Sequence, residues 1–216
     1  MIPASTSLTS RLLLYLVADP AQSRHDLPTA VDLALYNGVT AVQLRAKTST
    51  DRDYLSLALV LGERCRSRGV LFLVNDRVDI ALASQADGIH LGVSDLPVSV
   101  ARRLLGDRAV IGFSPETDEQ AASAAADGAS YLGVGPVFGT ASKDDAGAPL
   151  GLDALRRRVE AAGIPVIGIG GIHAGNVGMV TATGAVGAAV LSAILGDMAP
   201  GDATRRLRDA LRPTDG

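Results

Sequence analysis

Eight short apolar runs, separated by longer stretches of helical composition, limit the fold of this chain more than any other feature. Near-continuous apolar strands are typical of a parallel sheet that is covered on both faces. Their alternation with helices indicates βα units, and eight such units predict a single-domain α/β fold, the (β/α)8 TIM barrel. The alternative is an open doubly wound sheet, which more often has about five or six strands. The predicted strands are residues 12–17, 39–44, 70–74, 88–91, 109–113, 130–134, 165–169 and 186–190, and the clearest helices are 51–68, 116–126, 152–162 and 203–211.

The spacing of glycines supports the same repeat. Glycine stands at the expected end of a helix before five of the strands, at Gly38, Gly69, Gly128, Gly163 and Gly184. The chain has 216 residues and 47% apolar composition, which suits one domain with a sizeable core. We therefore expect one barrel domain over residues 1–216, with a frayed N-terminus through residue 10.

Charge and cysteine content indicate the cellular environment in which the protein works. The net charge of −3 gives no indication of a nucleic-acid or membrane partner. Cys65 is the one cysteine, and a lone thiol cannot form an internal disulfide, which fits a reducing cytosol. The apolar run at 12–18 is too short for a signal-peptide core, so we expect a cytoplasmic protein. The sequence leaves the oligomeric state open, a homo-oligomer included.

A basic cluster follows the second predicted strand. Gln43, Arg45 and Lys47 are spaced at every second residue, which in an extended chain places them on one face. Buried cations without a partner lose several kcal/mol of hydration, so the cluster predicts an anionic ligand such as a phosphorylated compound. The alternative is that Arg45 and Lys47 lie in a solvated loop just past the strand.

Two acidic residues follow neighbouring strands. Asp76 comes after strand three, directly behind Asn75, and Asp95 comes after strand four. Strands in a sheet lie roughly 4.8 Å apart, so the two carboxylates can approach one ion, and an oxygen-only ligand set favours Mg²⁺ over zinc. Each aspartate alternatively caps the helix that follows it, Asp76 a helix over residues 77–84 and Asp95 one beginning at Leu96-Pro97.

The remaining strand ends are also polar. Ser114 precedes Pro115-Glu116, a pattern that predicts an N-cap with proline in the first turn. A long glycine-containing loop at 135–143 carries Thr140, Ala141, Ser142 and Lys143. Gly170-Gly171 and Leu191-Ser192 follow strands seven and eight, where barrels bind phosphate through backbone N–H groups. Among the histidines, His90 is expected to be a hydrogen-bonded core residue near this site and His173 a helix-start residue.

Taken together, these motifs resemble the thiamine-phosphate synthase family from about Leu14 to Ile194: Gln-x-Arg-x-Lys, Asn-Asp, His-Leu-Gly-x-x-Asp, Gly-Pro-x-Phe-x-Thr-x-Ser-Lys and a late Gly-Gly-Ile. The resemblance implies a transferase that condenses a hydroxymethylpyrimidine diphosphate with a thiazole phosphate, with Mg²⁺ as cofactor and two small phosphorylated substrates as partners. It further implies that the pyrimidine diphosphate is held by Gln43, Leu44, Arg45, Ala46, Lys47, Asn75, Ser114 and Lys143, of which Arg45, Lys47, Ser114 and Lys143 are catalytic. Mg²⁺ would be held by Asp76 and Asp95, and the thiazole phosphate by Thr140, Ala141, Ser142, Gly171, Leu191 and Ser192.

Two other functions remain as alternatives. A thiazole tautomerase of the same fold would keep the phosphate half-site but would carry a histidine after strand five, where this chain has Glu116. A non-catalytic thiamine-phosphate-binding protein would have no need to pair two carboxylates. The chain also departs from the family pattern at Val93, Pro115-Glu116, Gly139 and Ser142, and these departures concern substrate contacts rather than the class of reaction.

Overall fold

The chain folds into a closed barrel of eight parallel strands, in a computed structural model that describes residues 7–139 and 147–212. The strands pair in chain order, and β8 pairs with β1 to close the sheet. This arrangement confirms the TIM barrel predicted from the sequence. The strands are β1 Leu14–Ala18, β2 Ala41–Leu44, β3 Leu71–Asn75, β4 Gly88–Gly92, β5 Val110–Ser114, β6 Tyr131–Val134, β7 Val166–Ile169 and β8 Gly187–Val190.

Helices connect the strands and pack around the barrel. They are α1 Leu8–Arg11, α2 Leu27–Tyr36, α3 Asp51–Arg66, α4 Val78–Ser84, α5 Val98–Leu105, α6 Asp118–Ser123, α7 Gly151–Ala162, α8 Val177–Thr181, α9 Ser192–Leu195 and α10 Pro200–Ala210, with a short 3-10 helix at Pro20–Gln22. Frayed structure was expected through residue 10, but Leu8–Arg11 is helical because the Ser7 side chain caps it. None of the helices in the described residues is long and apolar enough to cross a membrane.

Burial explains why the apolar runs become strands. Every residue of β1, β2, β3, β6 and β8 is buried, as expected where helices cover the outside of a barrel and side chains fill its interior. The five glycines predicted to end helices all have positive φ, and Gly163 is the left-handed C-cap of α7.

The predicted N-cap at Ser114 is wrong. Ser114 is the last residue of β5, and the helix that follows is capped three residues later by Thr117. The Thr117 hydroxyl accepts the Gln120 N–H at 3.2 Å, and the Gln120 side chain accepts the Thr117 N–H at 3.3 Å. This reciprocal pair is a capping box, which satisfies two N–H groups where a cap at Ser114 would satisfy one. The Ser114 hydroxyl therefore points to other partners.

Candidate active site

The carboxyl ends of the strands surround a cavity of about 530 Å³. The predicted site residues that line it are Gln43, Arg45, Lys47, Asn75, Asp76, Asp95, Ser114, Gly171, Leu191 and Ser192. Leu44 and Ala46 were expected with the pyrimidine-diphosphate set, but they are buried and do not line the cavity, because they alternate with Gln43, Arg45 and Lys47. Thr140, Ala141, Ser142 and Lys143 lie outside the described residues.

Arg45 has a counter-charge within the protein. Its guanidinium Nη1 lies 2.5 Å from Oδ2 of Asp19, a carboxylate that is only 3% exposed. The sequence predicted that a bound phosphate would neutralise this arginine, whereas the structure supplies an internal partner. Asp19 follows β1, and the register pairs Ala18 with Leu44, so the residues that follow the two strands lie side by side. Sequence reasoning missed Asp19, although its place directly after the first strand was a usable signal.

The amides of the site hold each other in place. The Gln43 side chain donates from Nε2 to Oδ1 of Asn75 over 2.7 Å, and both residues are buried. Buried amides need such partners because desolvation without a hydrogen bond is costly. The pair fixes two polar side chains at the carboxyl ends of neighbouring strands.

Asp76 and Asp95 form a close acidic pair, as their positions after β3 and β4 predicted. Burial, together with a hydrogen bond and repulsion from the Asp95 carboxyl, raises the pKa of Asp76 to about 6. Lys47 partly opposes the shift, with Nζ 3.9 Å from Oδ2 of Asp76. Two carboxylates that resist simultaneous ionisation in a cleft form a natural place for a cation.

The capping alternative holds for neither aspartate. The N-cap position of α4 is Arg77, and no side chain caps that end. The N-cap of α5 is Pro97, and Asp95 instead accepts the Gly92 N–H at 2.7 Å through Oδ2. The described residues contain no group of three or more His, Cys, Asp or Glu side chains that could hold a metal. A cation at this pair would therefore complete its coordination with water and substrate oxygens, which is how proteins commonly bind Mg²⁺.

A line of hydrogen bonds runs from the barrel interior to Ser114. The Tyr15 and Tyr131 hydroxyls lie 2.9 Å apart, Tyr131 lies 2.9 Å from Nδ1 of His90, and Nε2 of His90 lies 2.8 Å from the Ser114 hydroxyl. Burial raises the pKa of both tyrosines, so they keep their protons. The structure thus confirms that His90 is hydrogen-bonded and lies near the site, but the residue is half-buried and lines the cavity instead of lying in the core. The two tyrosines were missed because their partners are remote in sequence.

Buried Arg158 of α7 organises the segment between β5 and α6. Its guanidinium donates to the carbonyls of Pro115 at 3.2 Å and Glu116 at 2.6 Å, and to Oδ1 of Asp118 at 3.0 Å. Arg158 is 5% exposed and lines the cavity. Sequence reasoning missed it, because Arg156, Arg157 and Arg158 are consecutive and only the fold distinguishes the one that points inward.

The ends of β7 and β8 form the other side of the cavity. Gly170 and Gly171 both have positive φ, and the Asn176 side chain donates to the Gly171 carbonyl at 2.9 Å. A Cβ at Gly171 would lie 2.5 Å from the Gly139 carbonyl oxygen, so close packing excludes any side chain there. His173 was expected at a helix start, but it lies in the turn before α8, whose N-cap is Asn176, and its carbonyl accepts the N–H of Val177.

A (β/α)8 barrel with cations, paired carboxylates and glycine-rich strand ends around one cavity defines a class of enzyme that acts on phosphorylated compounds. The family model of thiamine monophosphate synthase matches residues 14–194. The chain belongs to this family, which confirms the resemblance seen in its motifs.

Individual relatives agree with the family match. The bifunctional thiamine biosynthesis protein ThiM/ThiE of Symbiobacterium thermophilum is 47% identical over 209 residues, which are 97% of this chain and 43% of that protein. The thiamine-phosphate synthase of Moorella thermoacetica is 48% identical over 178 residues, covering 82% of this chain and 85% of that enzyme. The structure of a thiamine phosphate pyrophosphorylase from Pyrococcus furiosus matches with a TM-score of 0.87 and 38% identity, covering 95% of this chain and 98% of that one.

Proposed function

We propose that this chain acts as a thiamine-phosphate synthase, joining 4-amino-2-methyl-5-(diphosphooxymethyl)pyrimidine to 4-methyl-5-(2-phosphooxyethyl)thiazole. The products are thiamine phosphate and pyrophosphate. Family membership and the names of its relatives support the reaction class. The observation that carries the proposal in this chain is the Asp76–Asp95 pair beside Lys47 and Arg45, because cations and a carboxylate-bound metal ion would neutralise the negative charge of a departing diphosphate.

Mg²⁺ fits the acidic pair. Asp76 and Asp95 would hold the ion, since burial, and after it the hydrogen bond and repulsion from Asp95, disfavour the charged form of Asp76, and a bound cation would favour it. When bound, the ion would supply charge neutralisation to the diphosphate.

The protein side chains would bind and stabilise the leaving group. Arg45 is held by Asp19 at the cavity, and Lys47 extends beside it, half exposed, where it can meet phosphate oxygens. Ser114 presents a hydroxyl that is oriented by His90. Lys143 would add a further cation from the long loop. These four residues are the proposed catalytic set, and they act by electrostatic stabilisation rather than by covalent chemistry.

The reaction itself needs no protein nucleophile. The bond between the pyrimidine methylene carbon and the diphosphate oxygen breaks first, and its electron pair leaves with the diphosphate. The amino group of the pyrimidine ring stabilises the resulting cation, and the thiazole nitrogen then donates its lone pair to form the new C–N bond. The side chains of the cavity need only orient the rings and neutralise charge.

The two substrates would occupy opposite sides of the cavity. Gln43 and Asn75, hydrogen-bonded to each other, would contact the pyrimidine diphosphate together with the basic residues. Gly171, Leu191 and Ser192 line the other side and would hold the thiazole phosphate, together with Thr140, Ala141 and Ser142.

The test is direct incubation of the purified protein with both substrates and Mg²⁺, with mass-spectrometric detection of thiamine phosphate and pyrophosphate. We expect stoichiometric formation of both products, and none when either substrate is omitted. Isomerisation of the thiazole phosphate precursor without condensation would identify a tautomerase instead. Saturable binding of thiamine phosphate with no turnover would identify a binding protein.

A further inference from the structure

The buried phenol of Tyr54 connects helix α3 to the ends of two active-site strands. Its hydroxyl lies 2.9 Å from the carbonyl oxygen of Leu44 and 2.9 Å from that of Asn75. These are the last residues of β2 and β3. The residue is 4% exposed, so its single O–H is shared between the two carbonyls in an environment that excludes water.

Each of the two carbonyls belongs to the peptide unit that leads into a charged site residue. Leu44 precedes Arg45, whose N–H donates to the Ala18 carbonyl at 2.9 Å. Asn75 precedes Asp76, whose N–H donates to the His90 carbonyl at 2.9 Å. The orientation of these two peptide units therefore determines where the guanidinium and the carboxylate enter the cavity.

The backbone at Asp76 is strained and needs support. Asp76 has φ of 62°, and the Arg77 N–H donates back to the Asn75 carbonyl at 2.7 Å, which closes a three-residue γ-turn. Strained backbone persists only where surrounding contacts hold it in place. Tyr54 donates to the same Asn75 carbonyl, and Asp51 of the same helix binds the Arg77 side chain at 2.7 Å.

Burial raises the pKa of Tyr54 well above its ordinary value, so the phenol keeps its proton and remains a donor. A phenylalanine would fill the same volume but would leave two buried carbonyls without this donor. The hydroxyl is thus separable from the packing of the ring.

We propose that Tyr54 is a positioning residue, whose hydroxyl ties the ends of β2 and β3 together and so fixes Arg45 and Asp76 relative to each other. The assignment of a catalytic consequence rests on the proposed function, since those two residues would contact the diphosphate and its metal ion.

The test is the variant Tyr54→Phe, with two readouts. In the substrate-free protein, we expect hydrogen exchange at the Arg45 and Asp76 amides to accelerate about tenfold or more, because their hydrogen bonds lose a fixed backbone. In turnover, we expect kcat/KM for the pyrimidine diphosphate to fall about 10–100-fold, the usual effect of removing a partner that orients charged ligands. The KM for the thiazole phosphate should stay within twofold of the wild-type value.

Two control variants separate positioning from general destabilisation. Tyr36→Phe removes the same hydroxyl from a side chain that is 84% exposed, and should change neither readout. Cys65→Ala removes a buried side chain from the same helix. It should lower the melting temperature without selectively accelerating hydrogen exchange at the Arg45 and Asp76 amides. Equal effects of Tyr54→Phe and Cys65→Ala, or unchanged exchange in Tyr54→Phe, would overturn the positioning role. If the wild-type protein makes no thiamine phosphate, the proposed function fails, but the exchange measurement still decides the role of Tyr54.

Discussion

Asp76 has an unusual backbone conformation and a carboxyl group whose charged form is disfavoured. Its φ of 62° is a conformation in which Asp and Asn are enriched, and burial beside Asp95 raises its pKa to about 6. Replacement by asparagine therefore keeps the local backbone preference while removing the charge. This makes Asp76→Asn a clean test of what the carboxylate does.

We expect Asp76→Asn and Asp95→Asn to lose activity while the barrel stays folded, because either substitution leaves a single carboxylate for the metal. The measurement is turnover against Mg²⁺ concentration, with circular dichroism to confirm folding. Full wild-type turnover in excess EDTA would contradict the metal assignment.

Asp76→Asn should also stabilise the metal-free protein at neutral pH. The folded-state pKa of about 6 lies above the usual value near 3.9, so the folded protein binds this proton more tightly than the unfolded chain. The stability that this group contributes is present below about pH 4 and is lost as the pH rises through about 6. In EDTA at pH 8, we expect the melting temperature of Asp76→Asn to lie a few degrees above that of wild type, since a protein of this size gains about 2–4 °C per kcal/mol of stability. At pH 4 the difference in melting temperature should be smaller. The exposed Asp107→Asn, which removes a carboxylate away from the cavity, is the control and should change the melting temperature little.

At the scale of elements, Arg158 links α7 to the segment that follows β5. It donates to the Pro115 and Glu116 carbonyls, next to the position of Ser114 at the cavity. Arg157 also reaches Asp118, at 3.4 Å, but it is exposed. The two adjacent arginines therefore share one acidic partner and differ in their backbone contacts.

We expect Arg158→Met to lower the melting temperature by several degrees, since buried carbonyls left without a donor cost about 1–3 kcal/mol in total stability. It should also reduce turnover through the displaced Ser114 segment. The matched variant Arg157→Met should change either quantity little, as is usual for exposed ion pairs. Thermal melts and kinetics of both variants give the comparison, and equal effects would show that the shared Asp118 contact, rather than the carbonyls, is what matters.

The loop after β6 contains one cation in its sequence, Lys143. If this amine meets the leaving diphosphate, Lys143→Ala should lower kcat by about 10² or more, the effect of losing one preorganised electrostatic donor. Lys143→Arg, which keeps the charge, should recover part of that loss. An unchanged rate for the alanine variant at saturating substrate would remove Lys143 from the catalytic set.

The elements themselves could be predicted from sequence because their signals are local. Continuous apolar runs placed the eight strands, and the polar residues predicted at their ends include most of the polar side chains that line the cavity. Contacts between elements were not predictable in the same way: Asp19 with Arg45 and Tyr54 with two strand ends depend on register and helix packing. Ser114 shows that a local pattern can also mislead: its sequence is typical of an N-cap, but the capping box at Thr117 satisfies more N–H donors.

At the scale of the whole molecule, strand order separates two kinds of binding group around the cavity. The ends of β2 to β5 contribute Arg45, Lys47, two amides and the paired carboxylates, whereas the ends of β7 and β8 contribute glycines and the hydroxyl of Ser192. Parallel strands of one barrel all end at the same face, so groups that are remote in sequence meet there on opposite sides. This distribution predicts that the two substrates can be affected independently.

Gly171 is a poor probe of the thiazole side. Because Gly171 belongs to the predicted thiazole-phosphate set, Gly171→Val is the obvious variant for raising the KM for that substrate. In the structure, a Cβ there would clash with the Gly139 carbonyl and lie 2.8 Å from Cβ of Phe138, so the substitution would also displace the segment after β6. Ser192→Ala is the better variant, because it removes one hydroxyl without adding bulk.

Arg45 also needs a matched design. Its removal alone would leave the Asp19 carboxylate buried without its partner, and such a charge is strongly destabilising. The double variant Arg45→Met with Asp19→Asn removes both charges together, so that loss of substrate contact is separated from loss of stability.

Steady-state kinetics with each substrate varied in turn decide the half-site assignment. We expect the Arg45→Met, Asp19→Asn variant to lower kcat/KM for the pyrimidine diphosphate at least tenfold, because a guanidinium binds phosphate oxygens in two places at once. Ser192→Ala should instead raise the KM for the thiazole phosphate several-fold, about the effect of one hydrogen bond to a charged group. If both variants affect the same substrate, the assignment of the two sides is wrong even though the reaction stands. If neither affects condensation, Arg45 after β2 and the Ser192 hydroxyl after β8 have some role other than substrate binding.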